Sequence, residues 1–326
     1  MKVYLIIFLA SFISGYILLS ILKALFSKKP VFKNKDNISI LGGIGLLLSF
    51  MIGLLCFFLY GDMPLSFELI HILLFSLIVF AAGLVDDFSE FSLFKKILVQ
   101  VVIVGAFLIY GKPIQIYFIP LWGNYLISFL WIIGIVNVFN LLDIEDGFCP
   151  GVSLIAGLAF FTALFISGNF LTAGLFAGLC GALFSFLIFN FPPAKIILGN
   201  SGSHFLGFLF AALSIHGDYA TLSNPFPVLI PLIILAFPLM DTFYLIIVRL
   251  KKGLMPLRKS DDHIFLRLLS SGKKIKPALF DIYLITFLWG MSGVFLVFGV
   301  NIFFSVFVFL AVSFSIKLVF TAQRAG

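Results

Sequence analysis

Charge is scarce in this sequence. Asp, Glu, Lys and Arg make up 11% of its 326 residues, against roughly 25% in soluble globular domains. A chain with so little charge and 62% hydrophobic residues, at a mean hydropathy of +1.22, cannot present a water-facing surface all round and is read as an integral membrane protein. Cysteine is scarce too. Cys56, Cys149 and Cys180 stand far apart without metal-ligand spacing, so they read as apolar core filler and not as a zinc or redox motif. Stretches of about ten residues that alternate polar and apolar, the mark of a membrane barrel, are also missing, which leaves helices as the spanning element.

What the chain does have is apolar runs long enough to cross a bilayer as helices, which takes about 17–25 residues. About eleven can be placed, near 3–26, 40–60, 66–85, 97–111, 122–142, 151–167, 169–191, 201–216, 226–249, 278–297 and 299–321. The first lacks a small-residue cleavage site and reads as a retained span, not a signal peptide. The connections leave no room for a soluble domain. The expected fold class is therefore an all-α polytopic membrane protein, one transmembrane domain over 1–326, with cytoplasmic loops near 28–39, 86–96, 143–150, 192–203 and 250–277. With the first loop cytoplasmic, all but Lys2 and Lys112 of the 21 Lys and Arg fall on the cytoplasmic side. That places the N-terminus outside and the C-terminus inside. The formal charge of +7 belongs to that face.

Polar clusters interrupt the hydrocarbon on the same face. The third span ends in Asp86-Asp87, two adjacent carboxylates that repel each other unless a cation or a proton intervenes; a solvated helix end is the plainer reading. In the fifth span Asn137, Asn140, Asp143 and Asp146 recur every third residue, a slowly turning polar stripe. A charge near mid-bilayer costs at least about 2.5–3.5 kcal/mol, so such residues default to function, with a polar seam between helices as the alternative. The ninth span carries Pro238-Leu239-Met240-Asp241-Thr242, and the loop beyond it carries His263 and Arg267 among carboxylates and cations. That loop can grip a phosphate or nucleotide, although a lone surface histidine is equally consistent with it. The stretch Lys195-Ile196-Ile197-Leu198-Gly199-Asn200-Ser201-Gly202-Ser203-His204 opens the eighth span with small and polar residues. A helix that starts there offers amide donors to an anion, and Ser201 or Ser203 can serve as its cap.

Taken in order, Leu41-Gly42-Gly43, Val85-Asp86-Asp87, the Asn137 to Gly147 stripe, Asn190-Phe191-Pro192-Pro193-Ala194-Lys195, Gly199 to Ser203, Pro238 to Thr242 and the His263 loop resemble the polyprenyl-phosphate N-acetylhexosamine-1-phosphate transferases, glycosyltransferase family 4. The resemblance runs from about Lys33 to Leu268. It implies attack of a polyprenyl phosphate on the β-phosphorus of a UDP-N-acetylhexosamine, giving lipid-diphosphate-sugar and UMP, with Mg²⁺ as cofactor and Mn²⁺ as a substitute. It also implies the inner, cytoplasmic membrane, with the site facing the cytoplasm. Partners so implied are the UDP-sugar, the polyprenyl phosphate and the bilayer, with a homodimer left open and no nucleic acid. By the same resemblance Asp86, Asp87 and Asn200 approach the metal, and Asp86, Asp87 and His263 are catalytic. Lys35, Lys96, Asn137, Asn140, Asp143, Asp146, Ser201 and Arg267 bind substrate.

Three departures from the family pattern stand out. Asp-Gly-x-Asp-Gly reads Asp143-Ile144-Glu145-Asp146-Gly147, the last two histidines of His-x-His-His read Phe265 and Leu266, and Gly-Asp-x-Gly-Ser has Asn200 in place of the aspartate. An Asn carbonyl still binds a hard cation but removes one negative charge. A weakened or inactive homologue acting as a scaffold, and a transporter of an anionic substrate, stand as alternatives.

Overall fold

The computed structural model describes residues 1–26, 41–61, 66–219, 227–255 and 262–324. Those residues form thirteen helices and no strand: α1 (Lys2–Phe26), α2 (Gly42–Tyr60), α3 (Phe67–Ser89), α4 (Leu93–Tyr110), α5 (Leu121–Leu142), α6 (Phe148–Ile166), α7 (Phe170–Asn190), α8 (Gly199–His216), α9 (Leu229–Ile234), α10 (Ala236–Lys251), α11 (Ile264–Ser270), α12 (Ile275–Leu296) and α13 (Ile302–Arg324). Nine of them, α1 to α7 with α12 and α13, are long and apolar enough to cross a membrane. The polytopic helical class follows.

Two of the expected spans look different in the structure. α8 is buried on every residue from Ser201 to Ser214. A helix walled in by protein has no lipid to satisfy, so it tolerates the serines and histidines that lower its hydropathy. The run expected at 226–249 is broken at Leu235 into α9 and α10. Pro238 has no amide to offer the carbonyl of Ile234 and its ring crowds that turn, which interrupts the ladder there.

Packing divides the chain into two compact units, Met1–Pro150 with Phe170–Gly217, and Gly151–Asn169 with Asp218–Gly326. In the first, α1 packs on α2 and α7, and α8 packs on α2, α3 and α5. In the second, α12 packs on α9, α10, α11 and α13. Since lipid tails are as apolar as leucine, such helices associate through close packing and interhelical hydrogen bonds. Gly83 shows how close. A Cβ there would lie 2.7 Å from Ser201 Cα and 2.8 Å from the Asn200 carbonyl oxygen, so α3 and α8 touch backbone to backbone. The α2 start is tied down alongside: Gly42 N–H donates to the Ile197 carbonyl at 3.1 Å and Gly43 N–H to that of Leu198 at 3.0 Å.

Candidate functional site

The contact at Gly83 brings the end of α3 to the beginning of α8. Gly199 adopts φ +76°, a left-handed turn natural to glycine, and starts the helix. The first amides of α8 are not left open for an outside anion. Asn200 N–H donates to Asp87 Oδ1 at 2.6 Å and Ser201 N–H to Asp87 Oδ2 at 3.0 Å. A carboxylate on a helix N-terminus is favoured by the macrodipole and by two charge-assisted bonds. Asp86, 2% exposed, is engaged elsewhere. Lys96 Nζ lies 2.7 Å from its Oδ2, and the Phe91 amide donates to its Oδ1 at 2.7 Å, closing the turn between α3 and α4. The two adjacent carboxylates thus escape mutual repulsion by pointing at different partners, one at amides and one at a lysine.

The polar stripe on α5 lies beside them. Asn140 Nδ2 donates to Asn200 Oδ1 at 2.9 Å and to Ser203 Oγ at 3.2 Å. Asn137 Nδ2 donates to the Ile133 carbonyl at 2.8 Å and to Gln100 Oε1, on α4, at 2.7 Å. Asp143 ends α5. Asp146 Oδ2 accepts from the Ala194 amide at 2.8 Å, and Asn190 bridges Gly147 N–H and the Ile196 carbonyl, both at 2.9 Å. This ties the turn after α5 to the Pro192-Pro193 segment that leads into α8. Glu145 is half-buried in the same turn, and burial, with Asp146 beside it, lifts its carboxyl above the ordinary value. The structure therefore brings together Asp87, Asn140, Asn200 and Ser201, with Asp86 and its partner Lys96 alongside; Asn137 meets Gln100 on α4, Asp146 braces the segment that leads into α8, and Asp143 ends α5. Lys35 lies outside the described residues.

In the second unit His263 and Asp241 are fully buried, with Nδ1 and Oδ2 2.6 Å apart, and the Ile264 amide donates to Asp241 Oδ1 at 2.9 Å. With Asp241 ionised the imidazole carries its proton on Nδ1, and Nε2 faces away without a partner. Next to it Asp262 gathers three cations: Lys252 Nζ at 2.6 Å, Arg267 Nη2 at 3.0 Å and Arg249 Nη1 at 3.9 Å. Burial alone would raise the Asp262 carboxyl, but hydrogen bonds from Lys252 and Arg267 and their charges outweigh it and hold it below the ordinary value. Arg267 also lies over the Tyr244 ring at 5.6 Å.

The sequence reading assigns Gln100 and Asp262 no role of their own, takes Ser203 only as a helix cap and Asn190 only as part of a motif, and does not connect Asp241 with His263. For Gln100 and Asp241 a signal existed, since each is a polar residue enclosed by apolar ones in a spanning run.

The atoms that meet at the α3, α5 and α8 junction are hard oxygens, the donor chemistry that suits Mg²⁺. Each Asp87 oxygen accepts one backbone amide, and Asn200 Oδ1 accepts the Asn140 side-chain NH₂. No group of three or more His, Cys, Asp and Glu is poised to hold a metal among the described residues. A full protein cage is not what Mg²⁺ requires, because it commonly takes one or two carboxylates and fills its shell with water and substrate phosphates. By donor chemistry, Asp87 and Asn200 are the residues here that could hold it.

Residues 69–218 match the model of the family described as "Glycosyl transferase family 4". Over 264 residues the chain is 31% identical to a Bacillus subtilis protein named "Probable undecaprenyl-phosphate N-acetylglucosaminyl 1-phosphate transferase", covering 78% of this chain and 72% of that one. An undecaprenyl-phosphate alpha-N-acetylglucosaminyl 1-phosphate transferase of Thermotoga maritima is 30% identical over 62% of this chain and 63% of its own. A decaprenyl-phosphate N-acetylglucosaminephosphotransferase of Mycolicibacterium smegmatis is 27% identical over 64% and 58%. The chain thus spans less than two thirds of the latter two relatives.

Proposed function

This chain belongs to glycosyl transferase family 4, the polyprenyl-phosphate N-acetylhexosamine-1-phosphate transferases, and on that premise we propose that it transfers N-acetylhexosamine 1-phosphate from a UDP-sugar to a polyprenyl phosphate. An oxygen of the lipid phosphate bonds to the β-phosphorus. The bond from that phosphorus to the bridging oxygen breaks, and UMP leaves with that oxygen. N-acetylglucosamine is the sugar in the names of the three relatives described, and it is the donor to test first.

The observation that carries the reading is the Asp87 carboxylate seated on the Asn200 and Ser201 amides, with Asn140 holding the Asn200 side chain. Phosphoryl transfer asks chiefly for positioning and for neutralisation of oxyanions. A rigid junction of hard oxygens, with Lys96 held next to it by Asp86, meets both demands. A bound Mg²⁺ would supply charge neutralisation at the diphosphate. Asp87 and Asn200 are assigned to holding it, and Asn140 to fixing the Asn200 oxygen. Asp86 keeps the Lys96 ammonium in place for a phosphate oxygen. Asp143, Asp146 and Ser201 line or brace the nucleotide side. In the second unit Asp241 orients the His263 imidazole to handle a proton, and Arg267 binds a donor phosphate. Eleven crossings with the site on the cytoplasmic face of the inner membrane complete the reading, supported by the Lys and Arg partition.

The test is a reaction of purified protein with undecaprenyl phosphate, a panel of UDP-N-acetylhexosamines and Mg²⁺ or Mn²⁺. Release of UMP together with organic-extractable labelled sugar supports the proposal. Absence of both for every donor and either metal, with folded protein, rejects it.

A further inference from the structure

Where α1 and α7 end, a groove of about 440 Å³ runs between them, a size within the range of about 300–1,000 Å³ usual for small-molecule sites. Tyr16, Ser20, Lys23 and Ala24 supply its α1 wall, and their spacing of four, seven and eight residues puts them on one helix face. Phe189 belongs to the facing α7 wall, and Lys195 comes from the segment that leads into α8. The walls are held in register. The Tyr16 and Phe189 rings lie 5.4 Å apart, and the Lys195 amide donates to the Phe189 carbonyl at 2.7 Å.

Charge in this groove is of one sign. Lys23 and Lys195 are exposed, and among the described residues neither forms an ion pair. No carboxylate lines the groove. Asp146 comes near through its bond to the Ala194 amide, at 2.8 Å, yet it makes no ion pair with Lys195. The dipole of α1 accounts by itself for a lysine in that helix's last turn, but not for a second lysine on the same groove from a distant part of the chain. Ile13, one turn before Tyr16, is exposed and continues the same face of α1 as hydrocarbon. Two unpaired ammoniums above an aromatic and apolar wall complement an anionic head that carries acyl chains, and basic pockets between spanning helices on the cytoplasmic side bind lipids of that kind.

We propose that the α1–α7 groove binds the head of an anionic glycerophospholipid of the surrounding membrane. Lys23 and Lys195 meet its phosphodiester oxygens, and Tyr16 stands at the boundary between head and chains. This ligand is bulk membrane lipid, neither donor nor acceptor in the proposed transfer, so the inference stands apart from that reaction.

The experiment titrates the purified full-length protein in neutral detergent, with native mass spectrometry reading bound lipid and oligomeric state together. The probes are dioctanoyl phosphatidylglycerol, dioctanoyl phosphatidylcholine, glycerol 1-phosphate and undecaprenyl phosphate. The parent should take up one phosphatidylglycerol with at least about tenfold preference over phosphatidylcholine. Lys23→Gln combined with Lys195→Gln removes both charges from exposed positions and should abolish that preference. Ala24→Trp fills the groove while keeping both lysines, and should weaken phosphatidylglycerol binding at least about tenfold. The proposal fails if the double lysine variant or Ala24→Trp binds phosphatidylglycerol like the parent. It fails equally if the parent takes phosphatidylcholine as tightly, which marks a mere hydrocarbon seam, or glycerol 1-phosphate as tightly, which marks a free-anion site. Undecaprenyl phosphate that displaces phosphatidylglycerol at lower concentration than phosphatidylglycerol itself requires would make the occupant the acceptor and overturn it. A lysine-dependent shift between monomer and dimer, with lipid uptake unchanged, would assign the groove to a second copy of the chain instead.

Discussion

Asp87 Oδ1 accepts the backbone amide of Asn200 at 2.6 Å, across 113 positions of sequence. Through this bond and its companion to Ser201, the last turn of α3 caps the first turn of α8. The junction is possible only because Gly83, one turn earlier on α3, lets the two backbones meet.

Gly83→Ala tests that dependence. The added carbon would stand 2.7 Å from Ser201 Cα, and backbone cannot yield as a flexible side chain does. Overpacking of this kind costs on the order of 1–3 kcal/mol. Thermal unfolding should shift down, and UMP release should fall at least about tenfold, because Asp87 is levered off the amides. Parent-like values in both assays would show that the contact is not required.

Asn200→Asp addresses the departure from the family pattern. The side-chain oxygen at this position accepts from Asn140 Nδ2, and a carboxylate oxygen accepts equally well, so the fold should be unchanged. The added charge should lower the Mg²⁺ concentration for half-maximal turnover by about tenfold, since affinity in such sites follows the count of charged ligands. A titration of UMP release against Mg²⁺ decides. An unchanged midpoint removes position 200 from the metal site.

Asp241→Asn should uncouple His263. The Ile264 amide needs the oxygen of the new side chain, which turns an NH₂ toward Nδ1, so the imidazole shifts its proton to Nε2 and accepts with Nδ1, the wrong tautomer for taking up a proton at Nε2. If the imidazole moves a proton in turnover, kcat should fall about 10²–10⁴-fold. Adding His263→Ala to Asp241→Asn should then cost little more, as expected for residues that act as a unit. Additive losses in the double variant would separate their roles.

Asp262 governs an acid sensitivity. Its folded value lies below the ordinary 3.8, so the charged form is the one the fold prefers. The stability it contributes is present above about pH 4 and is lost as pH falls through the depressed value. Asp262→Asn should lower Tm by about 2–4 °C at pH 7, leaving Arg249, Lys252 and Arg267 without a shared anion. The gap between parent and variant should close as the pH drops below 4. A gap that persists unchanged at pH 3 would mean the carboxylate charge is not what binds the three cations.

The composition alone decided that this chain is a helical membrane protein, because so few charges cannot face water and only helices satisfy a backbone in lipid. Its polar punctuation named most of the residues that gather at the junction, since a carboxylate or amide left inside an apolar run must have a reason to be there. Which of them meet could not be read along the chain. Asp86 and Asp87 look equivalent in sequence, yet one pairs with Lys96 and the other caps α8. The α8 start reads as an open anion site and is already filled by Asp87. Gln100 looks like a stray amide until Asn137 and the Ile133 carbonyl turn its nitrogen outward. Periodicity reports the face a residue occupies on its own helix, whereas partnership depends on the rotation and crossing of two helices, and only packing settles those.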